Sequence, residues 1–335
     1  MALDATGDPV LATGGDDENT NRLDLRWCNN PNCTSSRLVT LDGLAAAPSF
    51  DIAIDSSDRA VVAYGAHPNA GPPSYQPRLA RCRRSGCVTP PGFRLVASDG
   101  GVFVADGASF EGSTGNITLH APIVGGAVTP TGNGYWLVAS DGGVFAFGDA
   151  RFFGSTGNLR LNRPVVGMAA APSGHGYWLI ASDGGVFAFG DARFFGSTGN
   201  LRLNQPVVGM ASTPSARGYW LVAADGGVFA FGDAPFRGST GNLRLVRPIV
   251  GMAPTPSGTG YWFVASDGGV FAFGDAVFFG AAAGQFRSAA VGIAALPSGA
   301  GYRIGVADGS SRAFGDEPDA RPPMTLTRPI VAIVA

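Results

Sequence analysis

The chain contains no lysine: all 23 of its basic residues are arginine. That excludes a Schiff-base lysine and the lysine of a phosphate-binding loop. Charged residues make up only 14% of the sequence, well below the usual quarter. The net charge of −2 supplies no global field that would draw the chain to nucleic acid or an anionic membrane. The three histidines, His67, His120 and His175, fall in separate loops without metal-ligand spacing and read as surface residues. No apolar run reaches the ~18 residues of a membrane span. The opening MALDATGDPV has neither the charged start nor the apolar stretch of a signal peptide.

What the chain has is repetition. Six near-copies of one 42-residue unit begin at Gly92, Gly134, Gly176, Gly218, Gly260 and Gly301. The unit reads GYWLVASDGGVFAFGDARFFGSTGNLRLNRPVVGMAAAPSGH in the best-kept copies. A period of this size marks a modular architecture in which each unit buries its apolar faces against its neighbours. The 51 glycines sit largely at fixed places in the unit and mark turns. Split at those turns, the unit predicts four short strands: a (Val165–Ala171), b (Tyr177–Ser182), c (Val186–Phe189) and d (Arg193–Gly196). Their Val, Phe, Tyr and Trp content and two apolar faces match a β-propeller blade.

The ends predict a closed ring. Arg328–Ala335, RPIVAIVA, matches Arg247–Pro254, RPIVGMAP, the start of a strand a. Asp8–Gly14, DPVLATG, reads as a strand b with no strand a before it. The C-terminal strand is therefore expected to complete the N-terminal blade, giving one all-β propeller over 1–335. Strand-a candidates at 50–55, 123–128, 165–170, 207–212, 249–254, 291–295 and 330–335 give seven blades. Phe93–Ser98 then completes the second blade and Gly101–Gly112 is a surplus hairpin; if the Gly92 copy builds its own blade, there are eight. Residues 1–91 form two divergent blades with cysteine hairpins, and 92–335 hold the tandem repeats with closing strand 328–335.

Four cysteines form two C-x4-C pairs, Cys28/Cys33 and Cys82/Cys87. Each brackets a turn-like segment, so local disulfides and an oxidising compartment are expected. A four-thiolate zinc site is the rival.

GYWLVASDGGVFAFGDARFFGSTG with PVVGMAAAPSG resembles a repeat common in secreted and cell-wall-associated proteins of actinobacteria. IAIDSSDRAVVAYGA with the RC-x4-C hairpin resembles a second actinobacterial repeat, from which the chain departs at Pro9–Gly14 and His67–Gln76. The resemblance implies a secreted or cell-surface location and a place beside cell-wall or adhesion domains. It implies no particular activity.

Two aspartates recur. Asp99, Asp141, Asp183, Asp225, Asp267 and Asp308 start the b–c turn; Asp106, Asp149, Asp191, Asp233, Asp275 and Asp316 sit in the c–d turn. Both series read as turn caps, since no ligand run supports calcium. Trp136, Trp178, Trp220 and Trp262 read as interblade core. The GSTG serines lack the elbow context of a nucleophile, and no catalytic residue, metal or cofactor is expected. Arg163, Arg247 and Arg328 precede a proline before strand a, with Gln205 at the equivalent place. They are expected at the channel mouth beside the first aspartate series. There they either pair with those aspartates or form an anion or acidic-glycan site. The function expected is a non-catalytic binding or scaffolding module for a cell-wall glycan or another surface protein. The alternatives are a structural protomer of an extracellular assembly and a propeller hydrolase or lyase.

Overall fold

The computed structural model describes residues 2–3, 9–14, 23–28, 36–41, 50–54, 60–66, 76–83, 86–88, 92–315 and 326–335. The chain divides into two compact units, Met1–Pro91 and Gly92–Ala335. The division falls where the repeat type changes.

In the first unit, β1 (Ala2–Leu3), β2 (Pro9–Gly14), β3 (Leu23–Cys28) and β4 (Ser36–Leu41) form one antiparallel sheet in chain order. A second follows from β5 (Phe50–Ile54), β6 (Ala60–Ala66), β7 (Gln76–Arg83) and β8 (Gly86–Val88). Val10, Leu25, Trp27 and Cys28 are buried in the first sheet and Val62 in the second.

The second unit opens with β9 (Phe93–Ala97) and β10 (Val102–Ala105). Five three-stranded antiparallel sheets then succeed one another. They are β11 (Ile123–Val128), β12 (Gly134–Ala139) and β13 (Val144–Gly148); β14 (Val165–Ala170), β15 (Gly176–Ala181) and β16 (Val186–Gly190); β17 (Val207–Ser212), β18 (Gly218–Ala223) and β19 (Val228–Gly232); β20 (Ile249–Pro254), β21 (Gly260–Ala265) and β22 (Val270–Gly274); and β23 (Ala290–Ala295), β24 (Gly301–Val306) and β25 (Ser311–Gly315). The last strand, β26 (Ile330–Val334), pairs with β9 to make a sixth sheet of order β10-β9-β26. No described residue is helical. The result is an all-β, propeller-like succession of repeated sheets.

Three expectations are corrected. The C-terminal strand completes the Gly92 copy and not the N-terminal sheet, because β1 already occupies that edge of β2, with Ala2 opposite Val10 and Leu3 opposite Pro9. The Phe93–Ser98 segment and the 101–112 hairpin are therefore neither a completion of the second sheet nor a surplus: β9 and β10 are strands b and c of a sheet whose strand a comes from the other end of the unit. The described strands form eight sheets, two in the first unit and six in the second, so the Gly92 copy builds a sheet of its own.

Strand d, also expected, is absent among the described residues. No ladder forms at 193–196 or its equivalents, because side chains take up the backbone groups there. Trp178 Nε1 donates to Arg193 O at 2.8 Å. Tyr219, from the next sheet, donates through its hydroxyl to Gly196 O at 2.6 Å and accepts from Phe195 N at 3.1 Å. The segment is thus stapled between the tryptophan of its own sheet and the tyrosine of the next. Tyr135, Tyr177, Tyr261 and Tyr302 make the same clamp on residues 111–112, 153–154, 237–238 and 279–280.

The tryptophans are interblade core, as expected. Trp136, Trp178, Trp220 and Trp262 are fully buried and lie 5.6–5.8 Å, centroid to centroid, from the tyrosine of the following sheet. Two sheets carry arginine instead. Arg94 donates through Nε to Ser109 O at 3.1 Å, the same i+15 carbonyl that the tryptophans use, and lies 5.0 Å from the Tyr135 ring centroid. Arg303 lies 4.2 Å from the centroid of Phe93 on β9. Backbone bonds repeat at each junction too: Val165 N donates to Ser140 O, Val207 N to Ser182 O, and Ile330 N to Ala307 O.

The tyrosine clamps predict an alkaline limit. Burial raises the phenol pKa of Tyr135, Tyr177, Tyr219, Tyr261 and Tyr302 above the ordinary 10.0. Unfolded tyrosines lose their protons first, so the stability these groups contribute is intact below about pH 10 and falls as pH rises through the folded values. Tyrosinate absorbance and far-UV circular dichroism should therefore change together above about pH 10. Full ionisation with unchanged circular dichroism would overturn the assignment.

Candidate functional site

The loops entering the a strands and the b–c turns lie at one end of the repeated sheets. Ser182 N donates to Pro164 O at 2.9 Å, and Thr198 N to Gly184 O at 3.1 Å, which ties each turn to the loops before and after it. Proline before strand a suits this place: it needs no donor, and its carbonyl accepts from strand b. The first aspartate series caps its turns as expected. Asp183 Oδ1 accepts from Gly185 N at 2.9 Å, and Asp99, Asp141, Asp225 and Asp267 repeat the bond two residues on.

The second series departs from the expected role. Asp149 accepts from the hydroxyls of Thr129 and Thr131, Asp233 from Thr213 and Ser215, and Asp275 from Thr255, Ser257 and Thr259. These carboxylates fasten the c–d turn to the a–b loop at the other end of the sheets. The Ser257 hydrogen bond leads in holding the Asp275 carboxyl below its ordinary range. Asp316 lies outside the described residues.

Arg163, Gln205, Arg247 and Arg328 are all exposed on the loops entering β14, β17, β20 and β26. Arg163 and Gln205 come together in one cleft of about 430 Å³, with Asp183, Leu201, Arg202 and Asn204. Arg247 and Arg328 hold the equivalent place on their own loops and do not line it. The alternative of local Arg–Asp pairing is not what forms: none of the three arginines makes an ion pair or hydrogen bond with a described residue. Sequence reading missed Arg202 and its repeats Arg160 and Arg244, although N-L-R-L recurs in each loop. All three are exposed.

A second cavity, of about 550 Å³, is lined by residues of β11, β14, β17, β20, β23 and β26. Its walls are mostly small and apolar, with Met210, Met252, Ile293, Leu296 and Ile333 the largest side chains and Ser212, Thr213 and Thr255 the polar ones. No side chain that lines it is an acid or a base.

Among the described residues no group of three or more His, Cys, Asp or Glu is placed to hold a metal. His120 and His175 are exposed; His67 lies outside the described residues. Cys28 is buried and disulfide-bonded; Cys33 lies outside the described residues. Cys82 and Cys87 stand opposite one another in the β7–β8 register.

Sheets and loops together define a repeat protein of propeller-like architecture with an arginine-bearing loop face. No protein-family model matches the chain, and neither does any curated protein. Among solved structures it is similar to Chaetomium thermophilum Sqt1, solved bound to the N-terminus of the ribosomal protein L10, at 15% identity and a TM-score of 0.44, covering 90% of this chain and 92% of that one. A likeness this distant bears on neither fold nor function.

Proposed function

We propose that this chain is a non-catalytic binding or scaffolding module at a bacterial surface, and that its second unit is a six-bladed propeller closed through β26. The junctions support closure: the backbone bond from Ile330 to Ala307 and the Arg303–Phe93 stack repeat at the last junction what Val165–Ser140 and Trp136–Tyr177 do elsewhere. The observation that carries the binding reading is the loop face, where near-identical loops present arginines that no described group neutralises. Such repetition suits a multivalent ligand, and an acidic cell-wall glycan fits its charge. The cavity lined by the a strands carries no acidic or basic side chain, which weighs against the hydrolase or lyase alternative.

Extracellular location rests on the cysteines. Pairing of Cys28 with Cys33 and of Cys82 with Cys87 is expected in an oxidising compartment. Peptide mapping under non-reducing conditions should recover both bridges; free thiols or bound zinc would overturn the pairing. An assembly role is favoured by one observation: Phe152, Phe194, Phe236 and Phe278 recur at 57–60% exposure on successive units. The deciding experiment is a glycan array bearing cell-wall fragments, run beside sedimentation. Binding to any array member supports the module reading. Concentration-dependent assembly with no bound glycan replaces it with the structural one.

A further inference from the structure

We propose that three consecutive loops, 158–164, 200–206 and 242–248, form one arc that binds a uronic-acid polymer through its carboxylates. The proposal rests on the reading of this face as a glycan-binding surface and names the chemistry it selects. Five exposed guanidiniums belong to these loops: Arg160, Arg163, Arg202, Arg244 and Arg247. None makes an ion pair or hydrogen bond with a described residue. The planar fork of arginine suits two-point recognition of a carboxylate.

The neighbours of these arginines narrow the class. Between the loops stand Asp183 and Asp225, with Asp141 just before the first, each with one carboxylate oxygen committed to its own turn. In the described cleft Asp183 lies beside Arg163, Arg202, Asn204 and Gln205. A carboxylate and two amides among the arginines accept from and donate to sugar hydroxyls. The same carboxylates repel a dense polyanion, whose binding depends on neutralising successive phosphates. A ligand with one carboxylate among several hydroxyls fits this mixture; a polyphosphate does not.

The arc also has ends. The preceding loop carries Thr118 and Ala121 at the two arginine positions; the following loop carries Gln285 and Ser288 there, its exposed Arg287 falling at the place of Asn162. The described cleft is bounded by Arg163 and Gln205, and the repeat puts Arg247 one unit beyond Gln205, so a single extended chain would reach from one loop to the next. Simultaneous engagement should raise affinity over a monomer by on the order of a hundredfold.

Titration calorimetry at low salt, with galacturonic acid, oligogalacturonates of increasing length, inorganic polyphosphate and a neutral glucan, tests this. Affinity should climb with uronate length and fall steeply at physiological salt, where exposed charges are screened beyond about 8 Å. Arg160→Ala/Arg202→Ala/Arg244→Ala should lose at least about tenfold in affinity with an unchanged melting temperature. Arg217→Ala, exposed on an a–b loop at the other end of the sheets, should bind as wild type. Polyphosphate binding as tightly as uronate, or an unaffected triple variant, overturns the proposal. So does array binding of neutral glycans without uronates, which leaves the module reading standing; an array with no bound ligand removes both.

Discussion

Removing residues 328–335 should unfold the second unit. The segment contains β26, the strand a of the sheet whose strands b and c are β9 and β10. Ile330 packs with Phe93, Leu95 and Ala97, while Val334 lies in the cluster of Val96, Ile123, Tyr135 and Leu137. Ile330, Ile333 and Val334 are each at most 9% exposed. At ~1.5–3 kcal/mol for each buried aliphatic side chain, their loss removes about 5–9 kcal/mol, comparable to the whole stability of an ordinary domain. The truncation also leaves one edge of β9 without its ladder, an open template for association. Urea unfolding followed by tryptophan fluorescence should show an early or absent transition. A synthetic peptide of residues 328–335, added in trans, should restore part of it by strand addition. A truncated chain with an unchanged midpoint would mean that β26 contributes nothing to the sheet.

The period, the strands a, b and c, and the tryptophan core were legible because the strands repeat five or six times in the sequence and the tryptophan four. Strand d was misread because RFFG has the composition of a strand. What decides the matter is a pair of side-chain hydrogen bonds, from Trp178 and Tyr219, that no local pattern announces. The partner of the C-terminal strand was misassigned because two segments, 9–14 and 93–97, lacked an evident strand a, and the two-residue β1 is too short to leave a hydrophobic pattern. Of the loop residues, the repeat offered Arg163 and Gln205 correctly as neighbours in space. It equally offered Arg202, but N-L-R-L has no proline to mark its arginine as lying at the entrance of strand a. Departures from the repeat were the larger missed signal. Arg94 and Arg303 stand where four other copies have tryptophan, and both are 2% exposed.

Asp106→Gly should be among the most damaging single substitutions in the second unit. In the repeat, Asp106 occupies the place of Gly148 and Gly190, and shares their left-handed backbone, with φ of 53° against 65° and 70°. The copy has Asp-Gly where the others have Gly-Asp, and that exchange is what brings the carboxylate to Arg303. Nη2 of Arg303 meets Asp106 Oδ2 at 2.9 Å, with side-chain exposures of 2% and 15%. Nη1 reaches Ser311 Oγ at 3.3 Å, and the guanidinium stacks on Phe93. The pair therefore joins β24 to the sheet of β9 at the junction between the last and first repeats. Glycine relieves the backbone, since only glycine takes this conformation without cost, so any loss reports the carboxylate alone. Withdrawing one partner of a buried pair costs about 3–5 kcal/mol, because the other charge stays in the protein. Salt should change this little, as a buried pair is poorly screened. Asp191→Ala is the matched control: Asp191 is exposed, its described bond is through its backbone N–H, and the change should stay within about 0.5 kcal/mol. Combining Asp106→Gly with Arg303→Met should recover part of the loss, because an apolar side chain of similar reach leaves no charge behind. Denaturation midpoints of wild type, Asp106→Gly, Arg303→Met and the double variant measure the coupling directly; an Asp106→Gly variant as stable as wild type would show that the junction is held by packing on Phe93 without help from the charge.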